Sequence, residues 1–366
     1  MKLKTCLILF IVLCAAFFAA YFFGVRENEN ISSQTGEKFL FENLDLNKIA
    51  EVEITGPDSG VVISKGESVW TVQNRWGHPA DFDKLATFIK KVGGLKSGRE
   101  FSASDDAVSR LNLKTPEKET ETGAKTGVGV RVVFKNDQGG VMADATLGKS
   151  RSVSSGGGGS YVRIQGRPMI HVADKAFSFI ETEPAQWIDK KFLKIAPEDI
   201  EQITGFSRKK GKIKKEFTLK RPSRGERPVF TGAAAGKNSK AAKEEEADAM
   251  FRALSSFQAD DVLDPLSVKE IEPIFSRAPL FYDYRLYDGT VYGIKVGGPD
   301  PLNEELYYFK ASVVFPKLEK KTGPDASGDA GAKEMTAEKN RRKEITDTVS
   351  WTYVISKWMF DSLMTL

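Results

Sequence analysis

Two histidines are the only imidazoles in the chain, and they are the first place to look for acid–base or metal chemistry. His78 stands before Pro79 at the entrance to a helix pattern, and His171 stands within an apolar strand pattern. Neither has a second histidine or a glutamate at the helical spacing of a zinc motif, and no H-E-x-x-H occurs. The sequence favours a turn or capping role for His78 and a structural strand role for His171. The sequence leaves open whether folding brings the two histidines together to bind a metal or to act as an acid and a base.

The other chemical motifs are incomplete. Residues 148–150 (Gly-Lys-Ser) resemble the end of a phosphate-binding loop, but that loop requires a glycine where Ala143 stands, so a strand end is the better interpretation. No G-x-S-x-G is present, and the serines of the glycine-rich segment 152–160 lack a rigid support. We therefore predict no catalytic, cofactor-binding or metal-binding residues and no enzyme activity.

An apolar run at the N-terminus predicts where the chain resides. The run extends from Thr5 to Val25 and, as a helix rising about 1.5 Å per residue, would cross the roughly 30 Å core of a bilayer. Lys2 and Lys4 precede it, which places the N-terminus in the cytoplasm. Residues 1–26 are predicted to be a cytoplasmic tip and a single transmembrane signal anchor in the cytoplasmic (inner) membrane. The bulk of the chain is then periplasmic or extracellular.

Two ways of processing this apolar run, as a cleaved signal peptide or as a lipoprotein signal, fit the residues less well. A cleaved signal peptide needs an A-x-A-like site, but Phe17 occupies the position where a small residue should precede Ala19. A lipoprotein needs a small residue before its acceptor cysteine, and Cys14 follows Leu13. A retained anchor is therefore the prediction.

The rest of the chain contains no thiol, because Cys6 and Cys14 both lie inside the apolar run. Disulfides, thiolate metal sites and cysteine nucleophiles are thereby excluded from it. A hydrophobic content of 40% is enough to build a core. The formal net charge of +4 is too small to indicate a nucleic-acid partner, whereas the bilayer is a predicted partner through residues 5–25.

Composition and periodicity predict a short stem and two domains. Residues 27–40 are a polar, flexible stem, residues 41–195 a first α+β domain, and residues 196–366 a second α+β domain with mobile insertions near 232–246 and 316–344. Within the first domain, periodicity predicts strands at Ile49–Ile54, Val61–Ser64, Val69–Gln73, Val128–Phe134, Val141–Leu147, Tyr161–Ile164 and Met169–Val172, and helices at Asp81–Val92 and Trp187–Leu193.

The order of these patterns recurs in the second half of the chain. Ile54 returns as Ile203, each followed by Thr-Gly, and four further pairs follow in the same order: Asp81–Val92 with Ala247–Phe257, the two strands at 128–148 with those at 281–297, Tyr161–Arg163 with Tyr307–Phe309, and Trp187-Ile188 with Trp358-Met359. We therefore predict an α+β fold of two related domains, each an antiparallel sheet with packed helices, after one transmembrane helix.

Several motifs of the first half are similar to one bacterial family. They are Trp70–Asp81 with its His-Pro-Ala-Asp stretch, Arg110–Leu113 with Pro116, Leu147–Lys149 before Tyr161–Arg163, and Trp187–Asp189. The chain resembles the family named domain of unknown function 4340 over Asp45–Ile195, and less closely thereafter. The resemblance implies one N-terminal anchor and a gene often placed beside an ABC transporter of the gliding-motility type. It implies no activity and no ligand.

Two surface features have a structural and a functional interpretation. The segment Arg208–Arg221 contains eight basic residues and one acidic residue, Glu216, which suits either a solvated hairpin protecting an edge strand or a contact with anionic lipid or an acidic partner. At the C-terminus, helical spacing predicts an apolar face that packs on the core or docks onto a membrane subunit; its residues are Trp351, Val354, Ile355, Trp358, Met359 and Leu363.

The predicted location of the chain, anchored in the membrane with its body outside the cytoplasm, therefore provides the functional prediction. We expect a non-catalytic, membrane-anchored extracytoplasmic accessory or scaffold protein that works with an ABC transport or other envelope complex. An extracytoplasmic module that binds a small ligand or a glycan between its two domains is the alternative. An enzyme of unrecognised type is a third hypothesis, and it would require His78 and His171 to meet near carboxylates.

Overall fold

A computed structural model describes most of the chain after the predicted anchor. The described residues are 38–116, 126–151, 158–177, 179–193, 195–209, 211–231, 240–255, 257–277, 280–318 and 329–364. The apolar run at 5–25 and the first part of the predicted stem lie outside them. Within the described residues, no helix combines the length and the apolar character needed to cross a membrane.

The secondary structure is mostly strand. The strands are β1 Lys38–Phe39, β2 Glu51–Thr55, β3 Gly60–Lys65, β4 Trp70–Val72, β5 His78–Pro79, β6 Lys96–Ser102, β7 Val130–Lys135, β8 Val141–Arg151, β9 Gly159–Ile164, β10 Met169–Ala173, β11 Ile200–Lys209, β12 Lys212–Lys220, β13 Val229–Thr231, β14 Asp261–Val262, β15 Leu280–Leu286, β16 Val291–Gly297, β17 Leu306–Val314 and β18 Thr352–Ser356. The helices are α1 Phe82–Gly93, α2 Asp105–Arg110, α3 Lys240–Ala253, α4 Val268–Arg277, α5 Asp329–Val349 and α6 Lys357–Met364.

The chain divides into two compact units. The first contains the described residues up to Val62 together with Asp83–Thr182, and the second contains Ile63–Phe82 and Glu183 onward. The division therefore falls inside β3. The sequence places the whole of 41–195 in one domain, whereas the structure groups the β4–β5 hairpin and residues 183–195 with the second unit.

The first unit is built on an antiparallel sheet with the strand order β1-β6-β10-β9-β8-β7-β2-β3. Alternation along β2 explains its two faces: Val52 and Ile54 are buried, while Glu51 and Glu53 contact Lys135 of β7 on the polar face. Cross-strand pairs of opposite charge such as these stabilise one register over the others.

The second unit is built on an antiparallel sheet with the strand order β13-β12-β11-β15-β16-β17-β18-β14. One row of paired side chains runs across four of its strands, from Val296 through Phe309 and Tyr353 to Val262. All four side chains are buried. This row forms part of the core of the unit.

The two units repeat one strand order. Seven neighbouring strands of the first unit read β6-β10-β9-β8-β7-β2-β3, and seven of the second read β14-β18-β17-β16-β15-β11-β12. Matched strands follow the same order along the chain. In each unit the first strand of this row lies between two helices along the chain: β6 between α1 and α2, and β14 between α3 and α4. The predicted match of Ile54 with Ile203 lies on β2 and β11, which occupy the same place in the two orders.

The coarse fold prediction is confirmed, since the described residues form two antiparallel sheets with a few helices. The predicted helix at Asp81–Val92 is α1, whose buried side chains Leu85, Ile89 and Val92 recur at helical spacing. Of the predicted stem, Lys38–Phe39 is instead strand β1 paired with β6, and Leu40 is buried.

Two predicted loops are partly helical. Residues 240–246 belong to α3 and residues 329–344 belong to α5. The loop prediction relied on the scarcity of large apolar residues, but alanine, glutamate and lysine are among the best helix formers. Along α5 the pairs Glu338–Arg342 and Lys343–Asp347 add support at the i,i+4 spacing.

Two predicted apolar helices are also wrong. Residues 187–193 are irregular, with a short 3₁₀ turn at Pro184–Gln186 before them and a bridge from Ile188 to Ala80. The C-terminal pattern divides into β18 and α6, and Trp358 is 71% exposed. Short apolar runs fit a strand and a buried helix equally well, and here cross-strand pairing selected the strand.

Candidate functional site

His78 is positioned by a tight reversal in the second unit. After β4, a 3₁₀ turn at Gln73–Arg75 ends at Trp76, which has a φ of 53°, and Gly77 follows with a φ of 78°. Two successive left-handed residues turn the chain back, so that β5 pairs with β4 and His78 lies opposite Val72. A glycine suits the second of these positions because it has no Cβ to clash.

The His78 side chain is almost entirely buried, at 1% exposure. Its Nδ1 lies 2.9 Å from the Pro79 carbonyl oxygen, which fits an Nδ1–H that donates to it. Its Nε2 lies 3.3 Å from the Tyr353 hydroxyl, which itself lies 3.0 Å from the Thr348 carbonyl oxygen. The Tyr353 hydroxyl has one proton for these two acceptors, and the shorter contact is to Thr348. The ring of Trp351 meets the imidazole edge-on at 5.2 Å.

Burial controls the protonation of His78. Loss of hydration lowers the pKa of His78 from 6.5 to about 4, and the hydrogen bond to Pro79 and the charges of Asp189 and Asp261 oppose that shift only in part. The imidazole is therefore neutral at neutral pH. A base that must exchange protons with a substrate needs access to it, and a side chain exposed by 1% provides none.

One ion pair borders the same region. Arg75 Nε donates to Asp261 Oδ1 at 2.6 Å, and the Val262 amide donates to the same oxygen at 2.8 Å. The arginine and the aspartate are both largely buried. Asp261 is thus engaged by a guanidinium and a backbone amide, which suits a role in fixing the β4–β5 hairpin against β14. We call His78, Trp351, Tyr353, Arg75 and Asp261 the His78 cluster.

An aromatic group packs against this cluster. The ring of Phe192 stacks on that of Tyr353 with a centroid distance of 3.5 Å and an interplanar angle of 5°. Phe257 and Phe309 meet Phe192 at 5.4 Å and 5.6 Å with steep interplanar angles. Stacked and edge-on contacts of this kind are favourable beyond the area they bury. The irregular segment 187–193 therefore contributes a central core residue.

Arg221 is buried, although the sequence places it at the end of a solvated basic segment. Its Nη1 donates to the carbonyl oxygens of Pro197 at 2.6 Å and Ile200 at 3.5 Å. Its guanidinium carbon lies 4.3 Å from the centre of the Phe251 ring, and its backbone carbonyl accepts a hydrogen bond from the Tyr287 hydroxyl. The planar cation thus joins the turn before β11 to α3.

Replacing Arg221 with lysine should lower the free energy of unfolding by about 1–3 kcal/mol. Lysine keeps the buried charge but loses the planar group that stacks on Phe251 and donates to the Pro197 carbonyl. Urea unfolding measures the change. The matched control is Lys220→Arg, because Lys220 is half exposed and pairs with Glu201 at the surface, where a change within about 0.5 kcal/mol is expected. Equal stability of the Arg221 variant and the wild type would contradict the assigned role.

His171 lies in the first unit, on β10 as predicted, opposite Glu100 of β6. Its Nδ1 lies 3.6 Å from Glu100 Oε2, and its Nε2 is buried with no hydrogen-bond partner among the described residues. Burial lowers the pKa of His171, and the nearby Glu100 carboxylate offsets part of that effect. The predicted location of His171 on a strand is confirmed. His78 lies in a short strand immediately after the turn, rather than capping a helix.

The two histidines belong to different units, and the polar contacts described above for each lie within its own unit. Over the part of the chain that the structure describes, no three or more histidine, cysteine, aspartate or glutamate side chains are grouped so that they could hold a metal ion. Sequence reasoning missed Phe192, Tyr353 and the burial of Arg221. Their partners lie far along the chain, and no local spacing indicates them.

Comparison with known protein families identifies the family of the chain. The model of the family described as Domain of unknown function (DUF4340) matches residues 70–274, which is more than half of the chain. The matched range contains His78, His171, Phe192 and Arg221. No curated protein matches the chain.

Proposed function

We propose that this chain, which belongs to the DUF4340 family, is a non-catalytic accessory or scaffold protein anchored in a bacterial cytoplasmic membrane with its body on the outer side. The observation that carries the proposal is the apolar run Thr5–Val25 behind Lys2 and Lys4. The absence of any thiol after Cys14 is compatible with an exported body. The placement beside an ABC transport or other envelope complex follows from the family resemblance.

The geometry of the body supports a structural role for its most reactive side chains. His78 is neutral and closed off by packing, and His171 is buried on a strand. The repeated strand order supports the further proposal that the two units arose by duplication of one. Two such units would offer related surfaces for binding envelope proteins.

The anchor is tested by placing charge in its centre. In the full chain, Val12→Lys with Leu13→Lys should release the protein from membranes, because each lysine at the centre of a span costs about 2.5–3.5 kcal/mol. The wild type should stay in the membrane pellet after an alkaline carbonate wash. The control is Asn30→Lys with Gln34→Lys, which adds the same charge outside the run. A wild-type protein that washes off would contradict anchoring.

The accessory role is tested by identifying the proteins that co-purify with the chain. Purification of the tagged full chain in mild detergent should recover a permease or another envelope protein in a fixed ratio. Mass spectrometry of the eluate identifies it, and the charged-anchor variant serves as the reference for non-specific recovery. Crosslinking the membranes before this purification retains weakly bound partners. If the chain is still recovered alone, the accessory role is contradicted, whereas the membrane anchor is unaffected.

A further inference from the structure

Within the described residues, the hairpin of β11 and β12 extends beyond the strands that pair with it on either side. Among the residues that the structure describes, β15 pairs with β11 as far as Ser207, and β13 pairs with β12 over Thr218–Lys220. Between them Arg208 pairs with Ile213 and Lys209 pairs with Lys212. We call the described residues 208–209 and 211–215 the hairpin tip. In the described sheet it is a two-stranded ribbon without a further strand on either side.

The hairpin tip is basic, and its β12 side is exposed. Residues 211–215 are all exposed, in contrast to Phe217–Leu219 on the same strand, which are buried. Five of the seven residues of the tip are lysine or arginine and none is acidic. Lys214 contacts Glu216 at 3.0 Å, while Lys212 and Lys215 have no carboxylate partner among the described residues.

One apolar side chain stands among these charges. Ile213 is 58% exposed, with lysine on both sides of it in the sequence. Protection of an edge strand needs only the charges, and an exposed isoleucine does not contribute to it. Cations around an exposed apolar side chain suit the surface of an anionic bilayer, where lysines meet phosphates and the apolar group enters the interface. An acidic protein surface would use the charges without needing the isoleucine.

We propose that the hairpin tip binds the surface of an anionic lipid bilayer. The inference rests on the proposed anchoring, which would hold the second unit within reach of such a surface. Lys212, Lys215 and Arg208 supply the attraction, and Ile213 enters the headgroup region. The contact is reversible and salt-dependent, since exposed charges are screened within about 10 Å at 0.1 M salt.

The test is lysine footprinting of the full chain in bilayers. The protein is reconstituted into vesicles of phosphatidylcholine alone or of phosphatidylcholine and phosphatidylglycerol in equal parts, and acetylation rates are read by mass spectrometry. Lys212 and Lys215 should react about fivefold more slowly on the anionic vesicles, and high salt should remove the difference. Lys339 and Lys343, on the exposed side of α5, should react equally on both.

Variants separate charge from apolar insertion. Lys212→Gln with Lys215→Gln should abolish the protection of Lys214, and Ile213→Ser should reduce it. The matched control Lys339→Gln with Lys343→Gln removes the same charge and should leave the tip protected. Equal reactivity of the tip on both vesicles would overturn the proposal in favour of edge protection. Protection that arises only when another envelope protein is added would overturn it in favour of an acidic partner.

The same samples distinguish this inference from the proposed function. If the full chain fails to float with phosphatidylcholine vesicles, the anchoring has failed. Flotation with anionic vesicles alone, lost in the Lys212 and Lys215 variant, would then still support lipid binding by the tip. Flotation with both vesicles and equal tip reactivity would retain the anchor and reject the tip contact.

Discussion

Replacing Phe192 with alanine should lower the free energy of unfolding of the second unit by about 3–5 kcal/mol. The Phe192 ring is 7% exposed and stacks on Tyr353, with Phe257 and Phe309 meeting its edges. These three rings are held by strands or by one another, so they cannot collapse into the space that the substitution leaves. The lost contacts and the residual cavity therefore both add to the cost.

Urea unfolding followed by tryptophan fluorescence measures this effect. The matched control is Phe82→Ala, since Phe82 belongs to the same unit and is 59% exposed, and its replacement should change stability by about 0.5 kcal/mol or less. Phe192→Leu should have an intermediate effect because it keeps most of the volume. A Phe192→Ala protein as stable as the Phe82→Ala protein would show that the stack does not form.

Acidification should destabilise the second unit through His78. The pKa of His78 is about 4 in the folded protein and 6.5 in an unfolded chain. Below pH 6.5 the unfolded chain therefore binds a proton that the folded chain does not, and the stability falls as the pH falls. The loss levels off below about pH 4, where the folded chain also takes up the proton, and it amounts to about 3 kcal/mol.

The measurement is urea unfolding across this pH range for the wild type and His78→Phe. Phenylalanine fills the space beside Trp351 and Tyr353 without titrating, so the variant should lose about 3 kcal/mol less between pH 6.5 and 4. His171→Phe is the control, because it removes the titration of a histidine in the other unit and leaves that of His78. Parallel stability profiles for the wild type and His78→Phe would contradict the burial of His78.

The local elements were largely predictable from the sequence. Strand alternation predicted β2, and helical spacing after Pro79 predicted α1 to within one residue at each end. Both have clear two-sided patterns, in which one face is apolar and the other is polar. The pattern failed where no two-sided alternation was clear, as in the apolar residues 353–355 and in the mostly polar α5.

The candidate site was not predictable in the same way. His78 and Tyr353 are 275 residues apart in the sequence, and their contact depends on the β4–β5 hairpin belonging to the second unit. Arg221 belongs to the same basic segment as the exposed lysines of the hairpin, yet it is buried because β12 ends beside Pro197 and α3. The type of a residue and its neighbours in the sequence do not determine whether a distant element packs over its side chain.

By itself the sequence determined the thiol-free body, the elements with one apolar face and the apolar run that predicts a membrane anchor. Each of these depends on composition or on spacing within about 20 residues, which is the range over which a helix or strand repeats its faces. Only the tertiary structure decided that His78 is closed off and neutral, that Phe192 is a core residue and that Ile213 is exposed among the lysines of the hairpin tip. Those properties depend on which distant segments pack together. Because hydrophobic burial is not directional, one local apolar pattern is compatible with several packing partners.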